Sequence, residues 1–136
     1  MTQLKDSIVD EFQYTVDELS FRNRSVLDQM SKMQEATAKL NRAIVKASTQ
    51  CGCIQIHSKK QMYPVDQEYN LSDVKNFMEE HIEGNLCDGC MEQIDKEMGK
   101  TLYYFASLCN TLNFNFYDVI LNELDRVRIL GKFNLK

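Results

Sequence analysis

Turn-forming residues and long apolar runs are scarce in this sequence. Its 136 residues include one proline and five glycines, and so few turn residues favour long helices. No stretch approaches the ~20 consecutive apolar residues that a membrane-spanning helix needs. The opening residues, MTQLKDSIVDEF, are too polar for a signal peptide. We therefore expect a cytoplasmic protein with no membrane partner.

Positive charge is also in short supply. The chain has 16 Lys and Arg residues against 20 Asp and Glu residues, a formal net charge of −4. Non-specific nucleic-acid binding usually requires a clustered excess of basic residues, so we expect no nucleic-acid partner. A hydrophobic fraction of 43% is typical of an ordered globular protein. A chain of this length builds one modest core, and residues 1–136 are predicted to form a single domain.

Apolar residues recur every three or four positions over most of the chain, which is the spacing of amphipathic helices. This pattern predicts helices over residues 3–20, 26–47, 72–82, 94–112 and 116–131. The helix that carries residues 94–112 is expected to span about five turns. The sequence therefore predicts an all-α protein with four main helices and a cysteine-rich insertion at about residues 50–90.

Capping residues mark the ends of two of these helices. Ser72 is the predicted N-cap of the short helix in the insertion, and Gly84 is placed to stop that helix. Asn115 is the predicted N-cap of the last helix, which Gly131 is expected to end. Residues 54–70 have no helical period and are interpreted as an ordered loop that contains Pro64 and a short strand at 54–57.

The paired cysteines are the most specific signal in the chain. Cys51-x-Cys53 and Cys87-x-x-Cys90 are separated by 33 residues. Short-spaced pairs each present half of a tetrahedron of soft thiolates, as structural zinc sites do. Each pair lies at a helix boundary, and the positive end of the following helix favours thiolates at Cys87 and Cys90. The predicted ligands of a structural zinc ion are therefore Cys51, Cys53, Cys87 and Cys90, and four thiolates leave no open position for catalysis.

Other roles for these thiols stay open. The CDGC segment has the C-x-x-C form of a redox pair, although that motif is typical of a βαβ setting, which this sequence lacks. A third interpretation takes the thiols as ordinary reduced or incidentally paired cysteines, since cytosolic proteins rarely keep structural disulfides. His57 is an alternative to one of the cysteine ligands. Cys109 falls in an apolar helical stripe and is predicted to be a core residue.

Two helical segments carry a family resemblance. Residues 97–128, EMGKTLYYFASLCNTLNFNFYDVILNELDRVR, resemble the C-terminal helix pair of MazG-like nucleoside triphosphate pyrophosphohydrolases, where E-L-G-D-V-L-Y-Y precedes an apolar helix, a turn and a closing helix. Residues 34–48, QEATAKLNRAIVKAS, are similar to the first acidic helix of that family, roughly E-E-A-G-E-L-A-R-A. The cysteine insertion is not part of the family pattern. The resemblance implies a MazG-like helical bundle into which a zinc knuckle is inserted.

The resemblance also implies an acidic Mg²⁺ site, which this chain keeps only in part. Family members are expected to hold Mg²⁺ with Glu and Asp side chains from two facing helices, where the metal binds triphosphate oxygens and helps to activate water. On the family pattern Glu35 and Glu97 remain, and the other acids are replaced by Ala36, Lys39 and Lys100. Each lysine lies three or four residues after a remaining glutamate, so we expect ion pairs that occupy the space of the metal. Mg²⁺ is therefore not an expected cofactor.

A second acidic pair does not restore this site. Glu92 and Asp95 have E-x-x-D spacing, but they precede Glu97 and Lys100 by five residues, or about 140° around a helix. They are predicted to lie on a solvated helix face. The sequence also contains no recognisable glycine-rich phosphate loop and no Ser-His-Asp arrangement.

These observations favour a non-catalytic, zinc-binding MazG-like protein that acts as a binding or regulatory module. One alternative is a Mg²⁺-dependent nucleoside triphosphate pyrophosphohydrolase with a rearranged acidic site. Such an enzyme needs about three or more convergent carboxylates, and the residual acids are Glu35 and Glu97. The other alternative is a thiol/zinc redox sensor. The ligand of a binding module, whether a nucleotide or a protein, is not specified by the sequence.

The expected partner is a second copy of the chain, in a homodimer or a higher oligomer. The second helix is predicted to be about 24 residues long and the third about 22, so their ends would overhang in a single-chain bundle. One chain is expected to leave aromatic surface uncovered at Tyr103, Tyr104, Phe114, Phe116 and Tyr117. The resemblance implies the same, because MazG-like folds build their cores between subunits.

Overall fold

The computed structural model describes residues 2–62 and 71–133, with side chains described for residues 8–62 and 73–131. Within these ranges the chain is mostly helical, which confirms the all-α prediction. The helices are α1 Thr2–Leu19, α2 Val26–Lys46, α3 Leu71–Phe77, α4 Asp88–Leu112 and α5 Phe116–Phe133, and the strands are β1 Ile54–Ile56 and β2 Ile82–Gly84. A π-helical turn, Ala47–Cys51, extends α2. No helix in these ranges combines the length and the apolar character that a membrane crossing requires.

Capping side chains account for where three of the helices begin. Ser25 caps α2, its Oγ accepting a hydrogen bond from the backbone N–H two residues later at 3.2 Å. Asn115 caps α5, as predicted, because its Oδ1 accepts from the backbone N–H of Asp118 at 2.9 Å. Cys87 is the N-cap of α4, and Asn113, with a left-handed φ of 62°, ends that helix.

The central element is α4, against which α1 and α2 both pack. The side-chain amide of Asn110 donates to the carbonyl oxygen of Gln13 at 3.0 Å, and the hydroxyls of Ser20 and Ser107 lie 3.3 Å apart. Positions that advance along α1 therefore meet positions that recede along α4, and these helices are antiparallel. The π-helical turn at the end of α2 lies beside the start of α4, so α2 also runs antiparallel to α4.

A small apolar core lies between α1, α4 and the start of α5. Its buried members are Val16, Ala106, Cys109 and Phe116. The prediction that Cys109 is a core residue is therefore confirmed. The Phe116 ring makes edge-to-face contacts with the rings of Phe105 and Phe12, at centroid distances of 4.9 and 6.4 Å. These contacts fix the start of α5 against α1 and α4.

The aromatic residues near the last turn do not all remain on the surface. Phe116 is buried within its own chain, so its predicted contribution to an uncovered aromatic surface is wrong. The reason is the side chain of Gln13, whose Oε1 accepts from the backbone N–H of Phe116 at 2.8 Å and whose Nε2 donates to the carbonyl of Phe114 at 2.7 Å. This double contact holds the turn against α1. Phe114 itself stays exposed, and Tyr103 and Tyr104 are half-buried.

The two strands pair in an antiparallel sheet that closes the insertion. Ile54 lies opposite Gly84 and Ile56 opposite Ile82, and Ile54 is buried. Gly84 has a φ of +90°, and a Cβ at this position would lie 2.6 Å from the carbonyl oxygen of Cys53. Only glycine accommodates both the left-handed backbone and this close approach.

The predicted loop that follows the second helix contains β1, which is one residue shorter than the strand predicted at 54–57. Residues 57–62 have no regular structure, but the side-chain amide of Gln61 both donates to and accepts from the backbone of Glu79 at 2.8 Å. The rest of the predicted loop, residues 63–70 with Pro64, lies outside the described residues.

Several predicted helix boundaries are wrong. The helix expected over 72–82 ends at Phe77, and Ile82 and Gly84 belong to β2, because pairing with β1 satisfies backbone groups in a way that apolar spacing does not reveal. Ser72 lies inside α3 rather than at its N-cap. The last helix continues past Gly131, since one glycine costs a helix only about 1 kcal/mol. The central helix has 25 residues, about seven turns rather than five, because it begins within the second cysteine pair.

Replacing Gly84 with alanine is expected to destabilise the protein by about 1–3 kcal/mol, because alanine meets both a left-handed backbone and the Cys53 carbonyl. Urea unfolding measures the change. The matched control is Gly99→Ala, which lies within α4 with no atom within 4 Å of the added Cβ and is expected to stabilise by about 0.5–1 kcal/mol. Equal stabilities for the Gly84→Ala variant and the unmodified chain would contradict the strand register.

Candidate metal centre

Four cysteines meet where α2, the two-stranded sheet and α4 join. Cys51 is the last residue of the π-helical turn, and Cys53 immediately precedes β1. Cys87 is the N-cap of α4, and Cys90 lies in the first turn of that helix. The two pairs that are far apart in sequence therefore lie on neighbouring elements.

The strand register explains why the pairs converge. Ile54 is paired with Gly84, so the segments that carry the two cysteine pairs both adjoin the same end of the sheet. Cys53 is adjacent to Ile54, and Cys87 follows Gly84 by three residues. The close approach of Gly84 to the Cys53 carbonyl keeps these two segments in contact.

The π-helical turn places Cys51 and Cys53 on one side of the chain. Gly52 has a left-handed φ of 79°, and its N–H donates to the carbonyl oxygen of Ala47 at 2.9 Å. The Cys53 thiol lies 3.7 Å from the same carbonyl oxygen. The turn folds the C-x-C segment back on the end of α2, with both thiols toward the second pair.

The four Sγ atoms all lie within 4.8 Å of one another. The Sγ atoms of Cys51 and Cys87 are 3.7 Å apart, and all four residues are free thiols. A tetrahedral zinc ion bound at about 2.3 Å from each sulfur separates the sulfurs by about 3.8 Å, whereas a disulfide requires about 2.05 Å. The cluster therefore has the dimensions of a group that can hold a metal ion.

Hydrogen bonds within the cluster shift the pKa values of its thiols in opposite directions. The backbone N–H of Cys90 donates to Cys87 Sγ at 3.4 Å, and this bond at the start of α4 lowers the pKa of Cys87 to about 7. The hydrogen bond with Cys87 raises the pKa of Cys51 and, together with burial, raises the pKa of Cys90 to about 12. Cys87 is thus the thiol of this pair of helix-start cysteines that ionises more readily, and Cys90 holds its proton more tightly.

Neither His57 nor Cys109 belongs to this cluster. His57 is exposed, and its Nε2 lies 3.3 Å from a carboxylate oxygen of Glu83 and 3.1 Å from the side-chain oxygen of Gln55. Cys109 is buried in the apolar core, where burial raises the pKa of its thiol. The four-cysteine set is the only group of three or more Cys, His, Asp or Glu side chains that can hold a metal within the described residues.

Glu35 and Glu97, the acids singled out by the family resemblance, are both engaged by lysines. Glu35 lies 2.9 Å from Lys39 Nζ and 3.2 Å from Lys32 Nζ, and these hydrogen bonds, that of Lys39 first, lower the pKa of Glu35. Glu97 is buried, and its Oε1 is 3.6 Å from Lys100 Nζ. The Glu35–Lys39 and Glu97–Lys100 ion pairs that the sequence predicts are therefore formed.

The second acidic pair lies on an exposed face of α4, as predicted. Glu92 and Asp95 are both exposed. Glu92 forms an ion pair with Lys96 at 3.3 Å. Neither residue takes part in a group with Glu35 or Glu97 that can hold a metal.

A cleft that the sequence patterns did not reveal lies between α2 and α4. This α2–α4 cleft has a volume of about 350 Å³, and its lining residues are Lys39, Arg42, Ala43, Lys46, Gln93 and Glu97. The signal that was available is the spacing of three cationic residues at i, i+3 and i+7 on α2, which places them on one helix face. The sequence pattern does not show that this face of α2 packs beside α4, because α4 lies more than forty residues away in the chain.

Comparison with known proteins finds no relative of this chain. No protein-family model matches the chain, and neither the curated proteins nor the solved structures include a significant match.

Proposed function

We propose that this chain is a non-catalytic binding or regulatory module, built on a MazG-like helical scaffold and held together at one end by a structural zinc ion. The observation that carries the zinc proposal is the mutual proximity of four cysteine Sγ atoms, all within 4.8 Å. The resemblance of two helical segments to MazG-like pyrophosphohydrolases supports the scaffold.

Zinc is the metal that suits this donor set. Four thiolate ligands are soft donors, and tetrahedral tetrathiolate coordination is typical of structural zinc. The 3.7 Å separation of Cys51 and Cys87 Sγ is close to the tetrahedral spacing of about 3.8 Å. Because all four positions would be filled by protein, the ion would stabilise structure rather than activate water.

A zinc ion at this position would join three elements that have little core of their own. The described part of the insertion contains one buried apolar residue, Ile54, and a sheet of two three-residue strands. Short sheets of this kind are marginally stable without further support. The metal would link the end of α2, the start of β1 and the start of α4.

The acids argue for a module that does not hydrolyse nucleotides. Lys39 and Lys100 each lie within an ion-pair distance of a residual glutamate, and their positive charge opposes Mg²⁺ binding there. Ala36 is buried on α2 and supplies no ligand. Two carboxylates paired with lysines fall short of the convergent acidic site that a Mg²⁺-dependent pyrophosphohydrolase needs.

An apolar face on α5 favours a homodimer. This helix packs mainly against α1, and Ile120, Leu124 and Val127 form a stripe along it that is 40–56% exposed. A stripe of this kind on a surface helix is the type of face that another chain covers. A second copy placed by a two-fold axis would bury the stripe against itself, which is the commonest closed arrangement of identical chains.

The purified protein is expected to contain one zinc ion per chain. Structural zinc sites carry apparent binding free energies of ~10–16 kcal/mol, so a chelator should lower the melting temperature strongly. Native mass spectrometry and thermal unfolding with and without chelator give the two readouts. Cys90→Ser should lose the metal, whereas Cys109→Ser is the control and should keep it, because Cys109 lies in the core.

Two results would change the zinc proposal. A metal-free chain that melts identically with and without chelator would remove it. Release of zinc by peroxide would instead identify a thiol/zinc redox sensor. In that reaction the Cys51 and Cys87 thiolates would give two electrons to the peroxide and form a disulfide. Disulfide mapping should look for this pair first, because its sulfurs are 3.7 Å apart.

The protein is expected not to hydrolyse nucleoside triphosphates at the rates typical of enzymes, about 1 s⁻¹ or more. Pyrophosphate release is measured with the common ribonucleotides and deoxynucleotides in the presence of Mg²⁺ or Mn²⁺. Turnover that Glu97→Gln abolishes would establish the alternative, a pyrophosphohydrolase with a rearranged acidic site.

The protein is expected to be a stable homodimer at micromolar concentration, with twice the chain mass of 15.9 kDa by light scattering. Leu124→Glu should produce monomers, because it places a charge in the apolar stripe of α5. Asn122→Glu is the matched control, since it adds the same charge about 160° away on the same helix and should leave the dimer intact. A folded monomer of the unmodified chain would refute this interface.

A further inference from the structure

The α2–α4 cleft presents a row of cations to a small, partly open volume. Lys39, Arg42 and Lys46 line it from α2, and seven residues of helix place the first and last about 10 Å apart along the axis. Lys39 is already bonded to Glu35. Arg42 and Lys46, by contrast, have no acidic partner within ion-pair distance in the described part of the chain.

The opposite wall of the cleft holds a buried carboxylate with one unused oxygen. Glu97 is 5% exposed, and its Oε1 accepts from Gln93 Nε2 at 3.0 Å. Its Oε2 is buried and has no hydrogen-bond partner among the described residues. A buried carboxylate oxygen that has lost water is unfavourable unless a donor reaches it. A ligand group that reached this oxygen would therefore be stabilised by donating a hydroxyl or N–H hydrogen bond to it.

The charge and size of the cleft narrow the ligand class. Arg42 and Lys46 carry two positive charges without an acidic partner among the described residues, and Glu97 on the other wall is paired with Lys100, so the balance favours an anion of more than one charge. A phosphate monoester carries nearly two negative charges at neutral pH, since its second pKa is about 6. Its oxygens can also accept two parallel hydrogen bonds from the planar guanidinium group of an arginine. The volume of about 350 Å³ suits a small molecule rather than a polymer.

We propose that the α2–α4 cleft binds a small phosphate monoester that carries a hydroxyl group. The phosphate lies against Arg42 and Lys46, with Lys39 at the far end of the row, and the hydroxyl donates to Glu97 Oε2. No divalent cation takes part. This site rests on the proposal that the chain is a binding module, and it gives that module a ligand class.

Calorimetric titration of the protein as purified, in buffer without Mg²⁺, tests the site. The probes are ribose 5-phosphate, ribose, inorganic phosphate and sulfate. Ribose 5-phosphate is expected to bind most tightly and ribose not at all. Inorganic phosphate should bind more tightly than sulfate, because monohydrogen phosphate keeps a donor for Glu97 and sulfate has none at neutral pH.

Variants separate the two halves of the site. Arg42→Gln should weaken ribose 5-phosphate binding by about tenfold or more, since a charge-assisted bidentate contact is lost. Glu97→Gln should weaken the binding of ribose 5-phosphate but not the binding of sulfate. Lys96→Gln is the matched control, because it removes one charge from an exposed position on α4 outside the cleft and should leave both affinities unchanged.

The outcomes distinguish this inference from the proposed function. Absence of binding to both ribose 5-phosphate and inorganic phosphate, or equal affinities for phosphate and sulfate, would overturn the site while leaving the non-catalytic module in place. Binding that survives Arg42→Gln unchanged would also overturn it. Nucleotide turnover would instead remove the non-catalytic module without bearing on Mg²⁺-free phosphate binding. The phosphate-to-sulfate comparison uses the unmodified chain, so it holds even if the Glu97 variant fails to fold.

Discussion

The antiparallel register of β1 and β2 is the constraint on which the cysteine centre depends. Pairing Ile54 with Gly84 sends the two cysteine segments away from the same end of the sheet. The absence of a side chain at Gly84 lets the strand reach the Cys53 carbonyl, and the four thiols then meet. A shift of this register by one residue would turn the strand side chains to the other face and separate the pairs.

The antiparallel packing of α2 on α4 extends this constraint along the molecule. At one end of the helix pair the π-helical turn and the start of α4 bring the cysteines together. Farther along, the same two helices line the cleft in which cations of α2 face Glu97 of α4. One helix pair therefore supports a soft-donor cluster and a charged cleft, two sites with different chemistry.

The sequence predicted the features that depend on local spacing. The amphipathic period located α1 and α2 within one or two residues, and Asn115 was identified as the cap of α5 because its side chain reaches a backbone N–H only three residues away. The lysine pairs of Glu35 and Glu97 were predictable for the same reason, since partners three or four residues apart share a helix face. Where a segment was short, as at 72–82, apolar spacing could not separate helix from strand.

The sequence by itself determined the helical character of the chain, the pairing of its cysteines in two short-spaced groups and the lysines that follow Glu35 and Glu97 by one helical turn. Only the tertiary structure decided that the four thiols lie within 4.8 Å, that Phe116 is buried and that Glu97 faces a row of cations with one oxygen unpartnered in the described residues. The physical reason is the range of the interactions. Caps and i,i+4 pairs act within one helical turn, whereas the cluster and the cleft need contacts between segments more than thirty residues apart, which packing and strand register alone bring together.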